Sequence, residues 1–114
     1  MKSILDFKTE REELNKKALE FSDKTTQRFF SIDSSVYQAG ALDKKTKELM
    51  GLCASMVMRC DDCIKYHLIE SHKAGATDDE IKETFSIALV IGGSIVIPNL
   101  RKAVASWQEI KGNH

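Results

Sequence analysis

The sequence is poor in residues that punctuate or cross-link a chain: one proline, six glycines, one tryptophan and three cysteines in 114 residues. With Pro98 as the sole proline, no ring constraint breaks a helix before that position. Residues 1–6 contain no long apolar core, and the chain turns charged by Lys8, which predicts a cytoplasmic protein with no secretory signal. In a reducing compartment three cysteines do not form a disulfide framework, and a close pair is instead catalytic or metal-binding. Neither sign of charge is in excess, with 17 basic and 17 acidic side chains, so nothing in the balance argues for nucleic acid or an anionic membrane as partner. The longest apolar run, 85–98, is broken by Ser86, Gly92, Gly93 and Ser94. It falls short of the roughly 20 residues a membrane-spanning helix needs.

What is present is a composition of 42% hydrophobic and 30% charged residues, that of one soluble domain over 1–114. Apolar residues recur at helical spacing rather than in alternation. Residues 7–30 read as one charged helix with Leu14, Ala18 and Phe21 on one face. A looser stretch is expected at 31–42, on Asp33-Ser34-Ser35 and Gly40. Asp43 is placed to cap the next helix, whose stripe is Leu49, Leu52, Cys53, Met56 and Val57. After a break at 59–62, a helix is expected over about 60–74, stopped by Gly75. Thr77 and Glu80 form a capping box for a helix through Ile81, Phe85, Ala88 and Leu89. Pro98 suits the first turn of a last helix with Leu100, Val104 and Trp107 inward. The expectation is an all-α fold of five to six helices. Ile87, Ala88, Leu89, Val90, Ile91, Ile95, Val96 and Ile97 point all round their segment, and a helix apolar all round must be covered. That predicts a homo-oligomer with this region at its interface.

Cys60-Asp61-Asp62-Cys63 is a C-x-x-C pair, and His67 follows one helical turn after Cys63. At about 100° per residue the three side chains share one narrow helical face. The chemistry needs this grouping because the thiolate is the nucleophile, and a thiol with a pKa of about 8.5 is mostly protonated at neutral pH. First-turn N–H groups favour an anion, and a neighbouring imidazole accepts the thiol proton. Asp61 and Asp62 oppose that activation unless they point away. Glu48, twelve positions before Cys60, can reach across from the preceding helix to orient His67.

Glu48, Cys60, Cys63 and His67 at these spacings resemble the signature of the alkylhydroperoxidase D-like family, within the carboxymuconolactone decarboxylase superfamily. Residues 42–49, Gly75-Ala76-Thr77, and Gly92-Gly93-Ser94 with Pro98 are similar as well. The likeness covers about 35–105. The resemblance implies an all-helical unit assembling as a trimer or hexamer; no cofactor or metal is expected. It implies Cys63 as the peroxidatic cysteine, Cys60 as its partner, and Glu48 and His67 as a proton relay. It also implies hydroperoxide or disulfide substrates and a lipoyl-bearing or thioredoxin-like reductant. Peroxidases of that family carry a histidine just before the second cysteine, where this chain has Asp62. That departure weakens the implied relay.

Other readings carry less. Zinc would find Cys60, Cys63, His67 and Glu48, but no second ligand pair exists elsewhere in the chain. Haem attachment needs a histidine directly after the second cysteine, where Ile64 stands. Lactone decarboxylation, the superfamily's other activity, does not need the cysteine pair. A non-enzymatic redox-sensing module would use the pair as a switch. Cys53 reads as a core cysteine, His72 as solvated, and Tyr37, Tyr66 and Trp107 as packing residues.

Overall fold

Capping chemistry sets where the helices begin. In the computed structural model, which describes residues 2–112, Ser3, Asp23, Asp43, Cys60 and Thr77 all have extended backbone, and each side chain accepts the N–H three residues on. The helices that follow are α1 (Ile4–Phe21), α2 (Lys24–Val36), α3 (Lys44–Val57), α4 (Asp61–Lys73) and α5 (Asp78–Gly92). A short 3-10 turn, Ser94–Val96, leads into α6 (Ile97–Ile110), with Pro98 in its first turn. Among the described residues there are six α-helices and no strand.

The core lies among α3, α4, α5 and α6. Leu52 and Met56 from α3 meet Ile64 and Leu68 from α4, and α5 adds Ile81, Phe85 and Ala88. Trp107 closes the cluster from α6, its indole N–H donating to Asp78 at 2.8 Å. Full burial of a side chain such as Leu52 or Leu68 contributes roughly 1.5–3 kcal/mol. A smaller cluster of Ile4, Phe7 and Ile69 fastens α1 to α4. Val104, expected to face inward, is 39% exposed; Ala103, Ser106 and Trp107 are the buried residues of α6.

The N-terminal arm departs from the expected helix over 7–30. Ser22 is extended and Asp23 caps onto Thr26, so the chain restarts there as α2. That second helix runs through Asp33-Ser34-Ser35, where a turn was expected, and buries no residue within the chain. Leu14 and Phe21 are 54% and 95% exposed, so the proposed apolar face of the first helix has nothing to cover it here. At its far end α2 is held by Lys47, whose ammonium donates to the carbonyls of Val36 and Gln38 at 2.8 and 2.7 Å.

The α3–α4 junction fixes the cysteine motif. Arg59 takes a left-handed φ of 58°, its N–H donates to Met56 O and the N–H of Cys60 donates to Ser55 O. This is a Schellman closure of α3 with arginine where glycine is favoured. Cys60 completes that closure and caps α4, so one residue joins both helices with no linker between them. Gly75 closes α4 in the same way, with a φ of 88° and the N–H of Ala76 donating to Ser71 O.

Candidate active site

Cys60 and Cys63 are joined as a disulfide at the start of α4, with their Cα atoms 5.3 Å apart. The sulfur of Cys60 also accepts the N–H of Cys63 at 3.3 Å, the same first-turn donor that caps the helix. Cys63 is the more exposed of the two. One turn on, His67 is buried, and its Nδ1 lies 2.8 Å from Oε1 of Glu48. Glu48 comes from α3 and is fully buried, and its second oxygen accepts from Lys44 Nζ at 3.2 Å. An ionised carboxylate is an acceptor only, so opposite it Nδ1 is the donor, and in the neutral ring that tautomer leaves the Nε2 lone pair free.

The imidazole is held on three sides. Tyr37 and Tyr66 pack on it with ring centroids 5.2 and 5.1 Å away. On α3 it lies directly against the backbone of Gly51, where a Cβ would come within 2.6–2.8 Å of three ring atoms. Tyr37, Tyr66 and Gly51 extend the set inferred from sequence. The tyrosines had been expected only to pack. Gly51 carried one signal, a glycine in the middle of an otherwise good helix, where it costs about 1 kcal/mol relative to alanine. Burial and neighbouring carboxylates raise the pKa of both phenols, so both stay protonated at neutral pH.

Cys63 and His67 open onto one cavity of about 140 Å³, walled by Tyr37, Tyr66 and Arg11. The Arg11 guanidinium lies 4.1 Å above the Tyr66 ring. Asp33 and Asp62 also line this cavity. Asp61 does not. Its carboxylate is tied to α6 by Asn99 at 2.7 Å and Lys102 at 3.1 Å. Burial pushes the Asp61 pKa up, but these two hydrogen bonds and the Lys102 charge outweigh it and hold it below the usual carboxylate range. Of the two acids expected to temper the thiolate, one is therefore neutralised by α6 and one stays at the cavity wall. Cys53 is half-buried against the core, where burial raises its thiol pKa. His72 is exposed and rests edge-on against Trp107 at 5.7 Å. Among the described residues no group of three or more His, Cys, Asp or Glu is arranged to hold a metal ion.

A helical bundle carrying a C-x-x-C pair at a helix start, backed by a buried glutamate–histidine pair, defines a class of small helical proteins with a redox-capable cysteine pair. The profile of the carboxymuconolactone decarboxylase family matches residues 23–106, and the chain belongs to that family. A Paracoccus denitrificans protein known as uncharacterized protein 4 in the cox locus is 32% identical over 84 residues, 74% of this chain and 76% of its own. A crystal structure of a Thermotoga maritima protein superposes with a TM-score of 0.91 at 57% identity, covering 93% of each chain. A second Thermotoga maritima crystal structure, at TM-score 0.86 and 53% identity over 95% of this chain and 96% of that one, is described as a family protein with a possible involvement in the antioxidative response. A Legionella pneumophila family protein in its apo form matches at TM-score 0.77 and 29% identity, over 94% of this chain and 92% of its own.

Proposed function

We propose that the chain is a thiol-dependent peroxidase and disulfide oxidoreductase of the alkylhydroperoxidase D-like kind, working in the cytoplasm without a bound cofactor. The observation that carries this reading is the set Glu48, His67 and Cys63: a buried carboxylate 2.8 Å from Nδ1 of an imidazole that lines one cavity with Cys63. In the reduced protein Nε2 of His67 takes the proton of Cys63. The thiolate attacks one peroxide oxygen and the O–O bond breaks, leaving a sulfenic acid on Cys63. The departing alkoxide takes the proton from His67 and leaves as an alcohol. Cys60 then attacks the sulfenic sulfur, forming the disulfide and releasing water. An external dithiol, lipoyl-bearing or thioredoxin-like, reduces the pair by exchange, with the more exposed Cys63 as its point of attack. The described relative from Thermotoga maritima, with its possible antioxidative part, supports the same direction.

The working unit is a homo-oligomer, a trimer or hexamer. The single chain exposes 7433 Å², whereas a monomeric protein of its mass exposes about 6,300 Å². The excess, on the order of 1,000 Å², is comparable with the roughly 800 Å² each partner buries in a standard interface. Val90 is 86% exposed and Ile91 65% at the end of α5, and Ile95 in the turn that follows is 55% exposed, so this end of the chain carries uncovered apolar side chains.

The test is dithiothreitol-dependent consumption of a hydroperoxide. Activity should vanish in Cys63→Ser, and Cys60→Ser should accumulate a sulfenic acid that a dimedone probe traps. Full activity in both variants contradicts the reading.

A further inference from the structure

The cavity shared by Cys63 and His67 contains a charged group that the cycle above does not use. Arg11 belongs to α1, which lies wholly before residue 23, where the match to the family profile starts. Ile4 and Phe7 seat the start of α1 on Ile69 of α4, and the N–H of Ile4 donates to Glu109 of α6 at 2.7 Å. Arg11 follows Phe7 by one helical turn, on the same face, which brings it to Tyr66. There its guanidinium lies 4.1 Å above the phenol ring, and that ring meets His67 edge-on at 5.1 Å. A guanidinium stacked by its face keeps its N–H donors in plane, free to bond at its edges. Among the described residues no ion pair occupies them.

Of the residues lining this cavity, Arg11 alone carries a fixed positive charge. The wall also holds two carboxylates, Asp33 from α2 and Asp62 from α4. Glu48 of α3 is engaged by His67 and by Lys44. Glu10, which shares an adjoining cleft with Arg11 and Asp62, is paired with Lys2. Glu12 and Glu70 line the α1–α4 groove instead. Carboxylates with no cation among them disfavour a thiolate at Cys63, and a single guanidinium in the same wall opposes them.

Resting on the peroxidase reading above, we propose that Arg11 is a catalytic residue: its guanidinium stabilises the Cys63 thiolate and donates to the peroxide oxygen that leaves. In the attack the S–O bond forms as the O–O bond breaks. The electron pair passes to the departing oxygen, and His67 supplies the proton that oxygen takes up. Charge develops on that oxygen before the proton arrives, so a cationic donor already fixed in the wall lowers the barrier. The stack on Tyr66 is what fixes it. An Arg11 that only pinned α1 to α4 would make a different prediction: its loss would lower stability and leave the ionisation of Cys63 as it was.

Alkylation of the reduced full-length protein across pH, read at Cys63 by mass spectrometry, tests the thiolate role. An opposite charge within about 4–6 Å shifts a pKa by about 1–3 units, and solvent screening reduces this, so Arg11→Met and Arg11→Gln should each raise the Cys63 value by about 1 unit. Arg11→Lys, which keeps the charge, should raise it by less than half as much, and Asp62→Asn should lower it. A Cys63 value unchanged in both neutral variants overturns the proposal, whatever happens to stability. A shift in Asp62→Asn of the same sign as in Arg11→Met also overturns it. The donor role is read from kcat/KM for hydrogen peroxide in dithiothreitol-driven turnover, at a pH where Cys63 is ionised in every variant. There both neutral variants should fall at least about tenfold, and an unchanged value contradicts that role. A wild-type chain that turns over no hydroperoxide, yet whose Cys63 value rises in both neutral variants, sinks the peroxidase reading and leaves the thiolate role standing.

Discussion

Replacing Gly51 with alanine probes the site without touching any group that reacts. The added Cβ would lie 2.6 Å from Cε1 of His67 and 2.8 Å from each ring nitrogen. Comfortable contact needs about 3.5–4.0 Å, so the ring must retreat by roughly 1 Å. A retreat of that size stretches the 2.8 Å bond to Glu48 beyond useful hydrogen-bond length. Overpacking costs about 1–3 kcal/mol and a weakened charged hydrogen bond about 1.5–3. Alanine returns about 1 kcal/mol of helix propensity. The two losses overlap, which leaves a net destabilisation of roughly 1–3 kcal/mol, read as a lower urea midpoint. Turnover should suffer more than folding, because misplacing a catalytic group by about 1 Å costs on the order of 100-fold in rate. A variant with a normal or raised midpoint and full hydroperoxide turnover would refute the claim that the glycine seats His67 for catalysis.

Three further outcomes follow from the same geometry. Arg59→Gly should raise stability by about 1 kcal/mol with turnover intact, because the left-handed φ of 58° is strained for arginine and easy for glycine; a fall in the urea midpoint contradicts this. Asp61 has a folded-state pKa below its unfolded value, so its contribution is present above the unfolded pKa and is lost as pH falls through the folded one. Asp61→Asn should therefore be less stable than wild type at neutral pH, with the gap closing below about pH 4. Because the Asp61 side chain is 40% exposed, the gap should be modest and shrink in added salt, and a pH-independent gap would count against the ion-pair origin. Val90→Glu with Ile91→Glu should shift sedimentation from oligomer toward monomer; an unchanged sedimentation coefficient places the interface elsewhere.

The legible part of the fold is the part that carries its own local signals. Helices α3 to α6 were readable because Asp43, Thr77 with Glu80, Gly75 and Pro98 mark their ends, and because Leu52, Met56, Ile81 and Phe85 keep helical period against one core. The N-terminal arm was not. Its apolar residues, Phe21 at 95% and Phe29 at 67% exposed, do not face this chain's core, so their spacing reports no partner within it. Asp33-Ser34-Ser35 resembles a turn, yet α2 continues through it, and a hydroxyl-to-carbonyl bond from Ser35 to Ile32 is local to that helix. At the site, the spacing of Cys60, Cys63 and His67 on one helix is a property of sequence alone. The reach of Glu48 from α3 is a tertiary fact that spacing could only propose. Tyr37 read only as a packing residue, and its place against His67 is set by the fold, whereas Lys44 meets Glu48 one turn on along α3 itself. Gly51 stood in the open as a helix-interior glycine, and only the imidazole packed on it explains why it is there.

The central claim is that His67, seated by Glu48, makes Cys63 the activated thiol. Its most direct test is the pH dependence of alkylation in the reduced protein, read separately at Cys60 and Cys63 by mass spectrometry. Cys63 should titrate well below the ordinary thiol value of about 8.5 and move back toward it in His67→Asn. Two thiols that both titrate near that ordinary value, unaffected by His67→Asn, would contradict the account.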